Sequence, residues 1–116
     1  MLAVNWAIQM RDIWDVHLLL HRRKITIPGV VSHMVDISTA DAAGHVINRL
    51  SPDLVINSVA LTDVDQCERD QDLATQCNVM VAANMALAAK ATGSKFIRIS
   101  TDHLFDGAEP LRSEVD

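Results

Sequence analysis

The sequence lacks an excess of basic residues, a long apolar run and a cysteine-rich pattern. Lysine and arginine total 10 against 15 acidic residues, so the formal net charge at pH 7 is -5. Since no basic stripe is present to neutralise a phosphate backbone, we expect no nucleic-acid partner. No apolar run approaches the roughly 18 to 20 residues that a membrane span requires, and the N-terminus has no signal-peptide pattern. We therefore expect a cytoplasmic protein that does not contact a membrane.

The few cysteines and histidines do not form a recognisable site. Cys67 and Cys77 could form a disulfide, but without a secretory signal we favour reduced thiols packed on helices. The histidines occur singly along the chain, at His17, His21, His33, His45 and His103. Because no spacing resembles that of zinc ligands, no metal is expected.

The composition is otherwise that of a small globular domain. Hydrophobic residues make up 49% of the 116 residues and charged residues 22%, so one packed core can form. Apolar runs predict strands over 15–20, 30–35, 54–59 and 95–100, and helical patterns cover 2–12, 38–50, 64–69 and 72–91. Gly93 is placed to cap the last helix. Strands that alternate with helices predict a doubly wound parallel α/β sheet with helices on both faces.

Small polar residues follow two of the apolar strands. One group begins at Asn57 and the other at Ser100, each directly after a predicted strand. In doubly wound sheets, ligands bind in the crevice outside the carboxyl ends of the strands. We therefore expect a ligand site at this edge.

These same residues carry a family resemblance. The motifs are Asn-Ser-Val-Ala-Leu-Thr-Asp-Val-Asp-Gln-Cys-Glu over 57–68, Asn78 in the long helix, and Ser-Thr-Asp-His-Leu-Phe-Asp-Gly over 100–107. In this order and separation they resemble the extended short-chain dehydrogenase/reductases, specifically the dTDP-4-dehydrorhamnose reductase-like group. The resemblance implies a Rossmann-like NAD(P)-binding domain and an oxidoreductase that reduces the 4-keto group of a nucleotide sugar.

Two parts of the family pattern are not found. The family opens with a strand and a glycine-rich turn, and it carries a Tyr-x-x-x-Lys pair some tens of residues beyond the Ser-Thr-Asp motif, whereas this sequence contains no tyrosine. The missing strand is central in the family order 3-2-1-4-5. We therefore expect residues 1–116 to form a partial domain that lacks the first strand, and a fragment that is inactive by itself.

The resemblance also assigns roles to individual residues. Thr101 corresponds to the catalytic hydroxyl that hydrogen-bonds the substrate carbonyl, and Asp102 and His103 correspond to substrate contacts, His103 replacing the usual tyrosine. The implied cofactor contacts are Arg22, Arg23, Asp36, Ile37, Ser58, Val59, Ala60, Asn78 and Ser100. Within this set, Asn78 ties the sheet backbone near the site. Two arginines where the adenosine ribose lies favour a 2′-phosphate, so NADP is preferred to NAD.

Structural or surface roles that involve no ligand stay open for these residues. Arg22 and Arg23 could be a surface charge run, Asp36 a solvated strand end, and residues 58–60 simple packing. The same fold also serves as a non-catalytic, NADP-binding regulatory subunit of methionine adenosyltransferase, and a fragment without function is a third alternative. A small-molecule nucleotide sugar is the expected partner, and a homo-oligomer is left open.

Overall fold

The computed structural model describes residues 2–36, 39 and 41–101. Its helices and strands follow the predicted order. The helices are α1 (Leu2–Met10), α2 (Asp41–Leu50), α3 (Val64–Arg69), α4 (Gln71–Thr75) and α5 (Val81–Thr92), with a π-helical turn over Gln76–Met80 between the last two. The strands are β1 (Val16–Leu20), β2 (Val30–Met34), β3 (Leu54–Asn57) and β4 (Lys95–Arg98).

The strands form two separate parallel ribbons. β1 pairs with β2, and β3 pairs with β4. The predicted parallel α/β class is confirmed, while the sheet is not continuous within the described residues. In the order 3-2-1-4-5, these four strands take every position except the central one. The sequence-based expectation that a central strand is lacking therefore agrees with the two ribbons.

The helix α5 lies at the centre of the larger of two apolar clusters. Val81 and Ala89 of this helix are almost fully buried, at 1% and 0% exposure, and the helix packs against α2, β3 and β4. The cluster consists of Val35, Ala43, Ile47, Val55, Val81, Met85, Ala88 and Ala89. A smaller cluster of Ala7, Leu18 and Ile27 fixes α1 on β1. Val35, which follows β2, and Val55 of β3 both belong to the larger cluster. One core therefore holds the two ribbons together.

Three elements end two residues earlier in the structure than the sequence predicts. The strand predicted over 54–59 ends at Asn57 because the Asn57 side chain accepts a hydrogen bond from the Val59 N–H and turns the chain. The strand predicted over 95–100 ends at Arg98, and the helix predicted over 2–12 ends at Met10. Gly93 caps α5 in the left-handed conformation (φ 74°), as predicted.

The helix predicted over 72–91 is interrupted by the π-helical turn. Here the Val81 N–H donates to the Gln76 carbonyl, five residues earlier, and the Arg98 guanidinium donates to the Asn78 carbonyl. Such turns are frequent at functional sites. The apolar face of the helix continues across the turn, and its buried residues are Cys77, Val81, Met85 and Ala88. The spacing of apolar residues therefore does not reveal the π-helical turn.

The cysteines are reduced thiols, as predicted. Cys77 is buried in the π-helical turn, and the half-buried Cys67 donates through Sγ to the Leu61 carbonyl at 3.5 Å. Over the described ranges, no helix has both the length and the apolar character to cross a bilayer. The same ranges contain no group of three or more side chains suited to holding a metal ion.

A pair of histidines joins β1 to β2. His17 Nδ1 lies 2.8 Å from His33 Nε2, and the two rings are stacked with centroids 5.1 Å apart. For a hydrogen bond, one of these nitrogens must carry a proton and donate it, and the other must be unprotonated and accept it. Burial lowers the pKa of His33, and the neighbouring His17 and Arg49 lower it further. The Asp15 carboxylate lies 3.5 Å from His17 Nε2, on the other side of that ring.

The depressed pKa of His33 makes the stability of the fold depend on pH. In the unfolded chain the His33 ring is protonated near pH 6.5, whereas in the folded chain its lowered pKa means that protonation requires a lower pH. The contribution of His33 to stability is therefore complete above this pH and is lost as the pH falls towards the folded pKa. Thermal unfolding followed by circular dichroism between about pH 5 and 8 should show a midpoint that falls on acidification.

Two substitutions isolate this effect. His33→Gln should flatten the pH dependence, because it removes the titrating ring. His45→Gln, at an exposed position on α2, should leave the dependence as it is. An unchanged slope in the His33 variant would show that other groups cause the acid sensitivity.

Candidate functional site

Each strand is followed by residues that are exposed or half-buried. The segments are 21–23 after β1, Asp36 after β2, 58–61 after β3, and 99–101 after β4. Parallel strands end at the same edge of a sheet, so the segments of each ribbon lie side by side. This carboxyl edge is where ligands bind in doubly wound folds.

Basic and acidic side chains meet at the carboxyl end of the first ribbon. The Val35 N–H donates to the Leu20 carbonyl at 2.7 Å, and His21 Nδ1 donates to the Val35 carbonyl at 3.3 Å. These bonds hold the two strand ends together. Arg22, Arg23 and Asp36 follow directly and are exposed. Ile37, the predicted partner of Asp36 at the adenine, lies outside the described residues.

Asn57 shapes the turn that follows β3. Its side chain is 1% exposed, and its Oδ1 accepts the Val59 N–H at 2.9 Å. A side-chain amide that captures a backbone N–H two residues on makes a tight local turn. The turn leaves Ser58 and Val59 half-buried and Ala60 exposed. Asn57 was not among the predicted site residues, although an asparagine that ends an apolar strand is a visible signal.

Asn78 clamps the same loop from the π-helical turn. Its Oδ1 accepts the Leu61 N–H at 2.8 Å, and its Nδ2 donates to the Leu61 carbonyl at 3.1 Å. One side chain therefore satisfies both backbone groups of one loop residue. Because Arg98 donates to the Asn78 carbonyl, the end of β4 is joined to the same point. Arg98 was also absent from the predicted site.

The last paired residue of the second ribbon lies just before the predicted catalytic segment. The Ile99 N–H donates to the Asn57 carbonyl at 2.9 Å and extends the pairing one residue beyond β4. Ser100 and Thr101 follow and are exposed. The residue directly before Ser100 is thus held beside Asn57, which directly precedes the 58–61 loop. Asp102 and His103, the predicted substrate contacts, lie outside the described residues.

The carboxyl end of β3 contains a buried donor without an acceptor. Among the described residues, Asn57 Nδ2 finds no hydrogen-bond partner, although the atom is shielded from water. A buried donor left in this state costs about 1–3 kcal/mol. The geometry is therefore suited to an acceptor supplied from outside the described residues. It is compatible with a polar ligand or a further backbone segment at this edge.

The clamp predicts that Asn78 contributes more to stability than Asn84 of the neighbouring helix, whose side chain makes one exposed hydrogen bond. Asn78→Ala removes the acceptor of the Leu61 N–H and one of the two donors to the Leu61 carbonyl in a half-buried place, and should lower the free energy of unfolding by about 1–3 kcal/mol. Asn84→Ala removes one exposed hydrogen bond, from Nδ2 to Asp41 Oδ1, and should cost less than about 1 kcal/mol. Urea unfolding followed by circular dichroism measures both. Equal losses would mean that the clamp does not order the loop.

Comparison with known sequences shows where this architecture occurs. The family model for the RmlD substrate binding domain matches residues 14–115. The spore coat polysaccharide biosynthesis protein SpsK of Bacillus subtilis is 36% identical over 83 residues, which are 70% of this chain and 29% of that protein. The methionine adenosyltransferase 2 subunit beta of Pongo abelii is 34% identical over 82 residues, or 71% of this chain and 25% of that protein.

Comparison with solved structures supports the same assignment. A hypothetical dTDP-4-dehydrorhamnose reductase from Sulfolobus tokodaii matches with a TM-score of 0.84 and 26% identity, over 97% of this chain and 40% of that one. The dTDP-4-dehydrorhamnose reductase of Bacillus anthracis, solved in complex with NADP, matches with a TM-score of 0.64 and 25% identity, over 84% of this chain and 40% of that one. The chain therefore spans less than half the length of these relatives. With the family model covering all but its ends, the chain belongs to the RmlD substrate-binding-domain family.

Proposed function

We propose that the chain is the nucleotide-binding part of an NADP-dependent reductase that acts on a nucleotide sugar. The proposal is carried by the polar strand ends at the carboxyl edge, where Ile99, two residues before Thr101, donates to the carbonyl of Asn57, directly before the clamped 58–61 loop. The similar reductase of Bacillus anthracis was solved in complex with NADP, which supports a nicotinamide cofactor. We further propose a cytoplasmic location. The oligomeric state of the chain is a question for measurement in solution.

The residues at this edge fit a dinucleotide. The exposed guanidinium groups of Arg22 and Arg23 follow β1 and would pair with a ribose 2′-phosphate, which favours NADP over NAD. The Asp36 carboxylate follows β2 and would accept a hydrogen bond from the adenine amine. Ile37 would pack on the adenine ring. The exposed Ala60 permits close approach of a ribose or pyrophosphate.

The second ribbon would carry the groups nearest the reaction. The cofactor, when bound, supplies a hydride for the carbonyl carbon of the substrate. The Thr101 hydroxyl would hydrogen-bond the oxygen of that carbonyl, with Ser100 facing the cofactor. Asn78 would act by positioning, since its contacts are with the Leu61 backbone. We propose Asp102 and His103 as contacts to the sugar.

A non-catalytic role is the second candidate. It is favoured by the 34% identity to the methionine adenosyltransferase subunit, which is close to the 36% found for SpsK. Both roles use a dinucleotide, so cofactor binding does not separate them. Binding of a dTDP-sugar does, because only the reductase requires it. Saturation-transfer NMR with a dTDP-sugar in the presence of NADP+ should therefore show transfer to the sugar, and transfer to the cofactor alone would favour the non-catalytic role.

The arginines should set the preference for NADP. Arg22→Gln combined with Arg23→Gln removes two charge-assisted hydrogen bonds, each worth about 1.5–3 kcal/mol, so NADP+ affinity should fall by about a hundredfold or more. The affinity for NAD+, which has no 2′-phosphate, should change little. Isothermal titration calorimetry with both cofactors measures the difference.

Lys24→Gln is the matched control for this experiment. Lys24 is the next basic residue and is also exposed, so its loss changes the charge of the loop without removing a guanidinium. It should leave the ratio of the two affinities nearly unchanged. An equal loss of NADP+ and NAD+ affinity in the double variant would show that the arginines do not bind the 2′-phosphate. If the wild-type chain binds neither cofactor, the proposal for this chain is contradicted.

A further inference from the structure

The π-helical turn between α4 and α5 leaves one carbonyl without a partner in the helix. The Val81 N–H donates to the Gln76 carbonyl, five residues earlier. The α-helical bonds resume at Met80, the N-cap of α5, whose carbonyl accepts the first bond of that helix. The N–H groups of residues 82 and 83 therefore remain for the carbonyls of residues 77–79. One of these three carbonyls has no donor within this described stretch of helix.

Arg98 supplies a donor to this group of carbonyls. Its guanidinium donates to the Asn78 carbonyl, which is one of the three. A backbone carbonyl that loses its helical partner needs another donor, and a cationic N–H makes a stronger hydrogen bond than a neutral one. The π-helical turn is therefore completed by a side chain of β4 rather than by its own backbone.

The backbone of Arg98 is fixed independently of this contact. Arg98 is paired with Asn57 in the parallel ribbon, and the Ile99 N–H donates to the Asn57 carbonyl at 2.9 Å. The end of β4 is thus held by β3, and the guanidinium reaches from there to the helix. Arg98 therefore joins the strand that leads to Ser100 and Thr101 to the helix that clamps the 58–61 loop.

The π-helical turn has an alternative form, which is a regular α-helix. In that form the Val81 N–H would donate to the Cys77 carbonyl, four residues earlier. Every residue before Val81 would then shift by one position relative to α5, which is a rotation of about 100° around the helix axis. Asn78 would turn away from the Leu61 backbone groups that its side chain now holds. The clamp on the 58–61 loop thus requires the π-helical register.

We infer that Arg98 is a positioning residue, which selects the π-helical register and, through Asn78, the shape of the 58–61 loop. Without the guanidinium, the Asn78 carbonyl loses its donor in the π-helical register, whereas the α-helical register supplies one from the helix itself. The choice of register is therefore coupled to the end of β4. The inference about the register stands by itself, and its consequence for cofactor affinity rests on the proposed function.

The register is read directly from scalar couplings across hydrogen bonds. NMR of the 116-residue chain should show a coupling from the Val81 nitrogen to the Gln76 carbonyl carbon. In Arg98→Met, which keeps a long unbranched side chain but has no donor, a coupling to the Cys77 carbonyl carbon should replace it. Arg98→Lys restores a cationic donor and should restore the coupling to Gln76.

Amide exchange of the loop provides the second readout. The Leu61 N–H donates to Asn78 Oδ1, so its exchange in Arg98→Met should be faster by about tenfold or more. The amide of the fully buried Ala89 reports opening of the whole core and should not change. Lys90→Gln is the matched control, because it removes one exposed positive charge at the far end of α5. This control should alter neither the coupling nor the exchange at Leu61.

Cofactor affinity separates this inference from the proposed function. If both are correct, Arg98→Met should weaken the binding of NADP+ and of NAD+ by the same factor, about tenfold, because residues 58–60 are proposed to lie along the part that the two cofactors share. Isothermal titration calorimetry measures both affinities. If the wild-type chain binds neither cofactor, the proposed function is contradicted, while the couplings and the exchange at Leu61 still decide the role of Arg98.

Three results would overturn this role. Retention of the Gln76 coupling in Arg98→Met would show that the turn keeps its register without the guanidinium. Loss of that coupling in Lys90→Gln as well would show that the register responds to net charge. Unchanged exchange at Leu61 after the coupling has moved to Cys77 would show that the loop does not follow the register.

Discussion

Parallel pairing is the constraint on which the rest of the structure depends. Because β1 and β2 run in the same direction, as do β3 and β4, each ribbon brings two carboxyl ends to one edge. The polar segments after the strands are then neighbours although they are separated by tens of residues in the sequence. The core around α5 holds the two ribbons together. The candidate site is thus a consequence of strand direction and of one shared apolar cluster.

Two asparagines, the buried Asn57 and the half-buried Asn78, convert this edge into a defined surface. Asn57 turns the chain after β3, and Asn78 fixes the following loop through both backbone groups of Leu61. Arg98 connects the end of β4 to the same π-helical turn. Polar side chains in partly buried places are costly unless they are hydrogen-bonded, and here the bonds define the loop geometry. Asn57 Nδ2 is the exception, since it has no partner within the part of the chain that the structure describes.

The sequence predicted the fold class and the order of elements, because apolar periodicity reports burial directly. It did not predict the π-helical turn, since Cys77 and Val81 keep their inward positions across it. It also did not predict the roles of Asn57 and Arg98, which depend on contacts with distant backbone groups. The family resemblance supplied candidates such as Arg22 and Thr101, and the structure has them after the carboxyl ends of β1 and β4. Their chemical roles remain proposals.

Chemical-shift mapping of the chain during titration with NADP+ would decide whether the carboxyl edge is the cofactor site. If it is, the largest changes will fall on Arg22, on residues 58–60 and on Ser100 and Thr101, with little change around the cavity at the opposite edge. Changes concentrated at Trp14 and Lys95, which line that cavity, would place the ligand at the amino ends of the strands and contradict the proposed site.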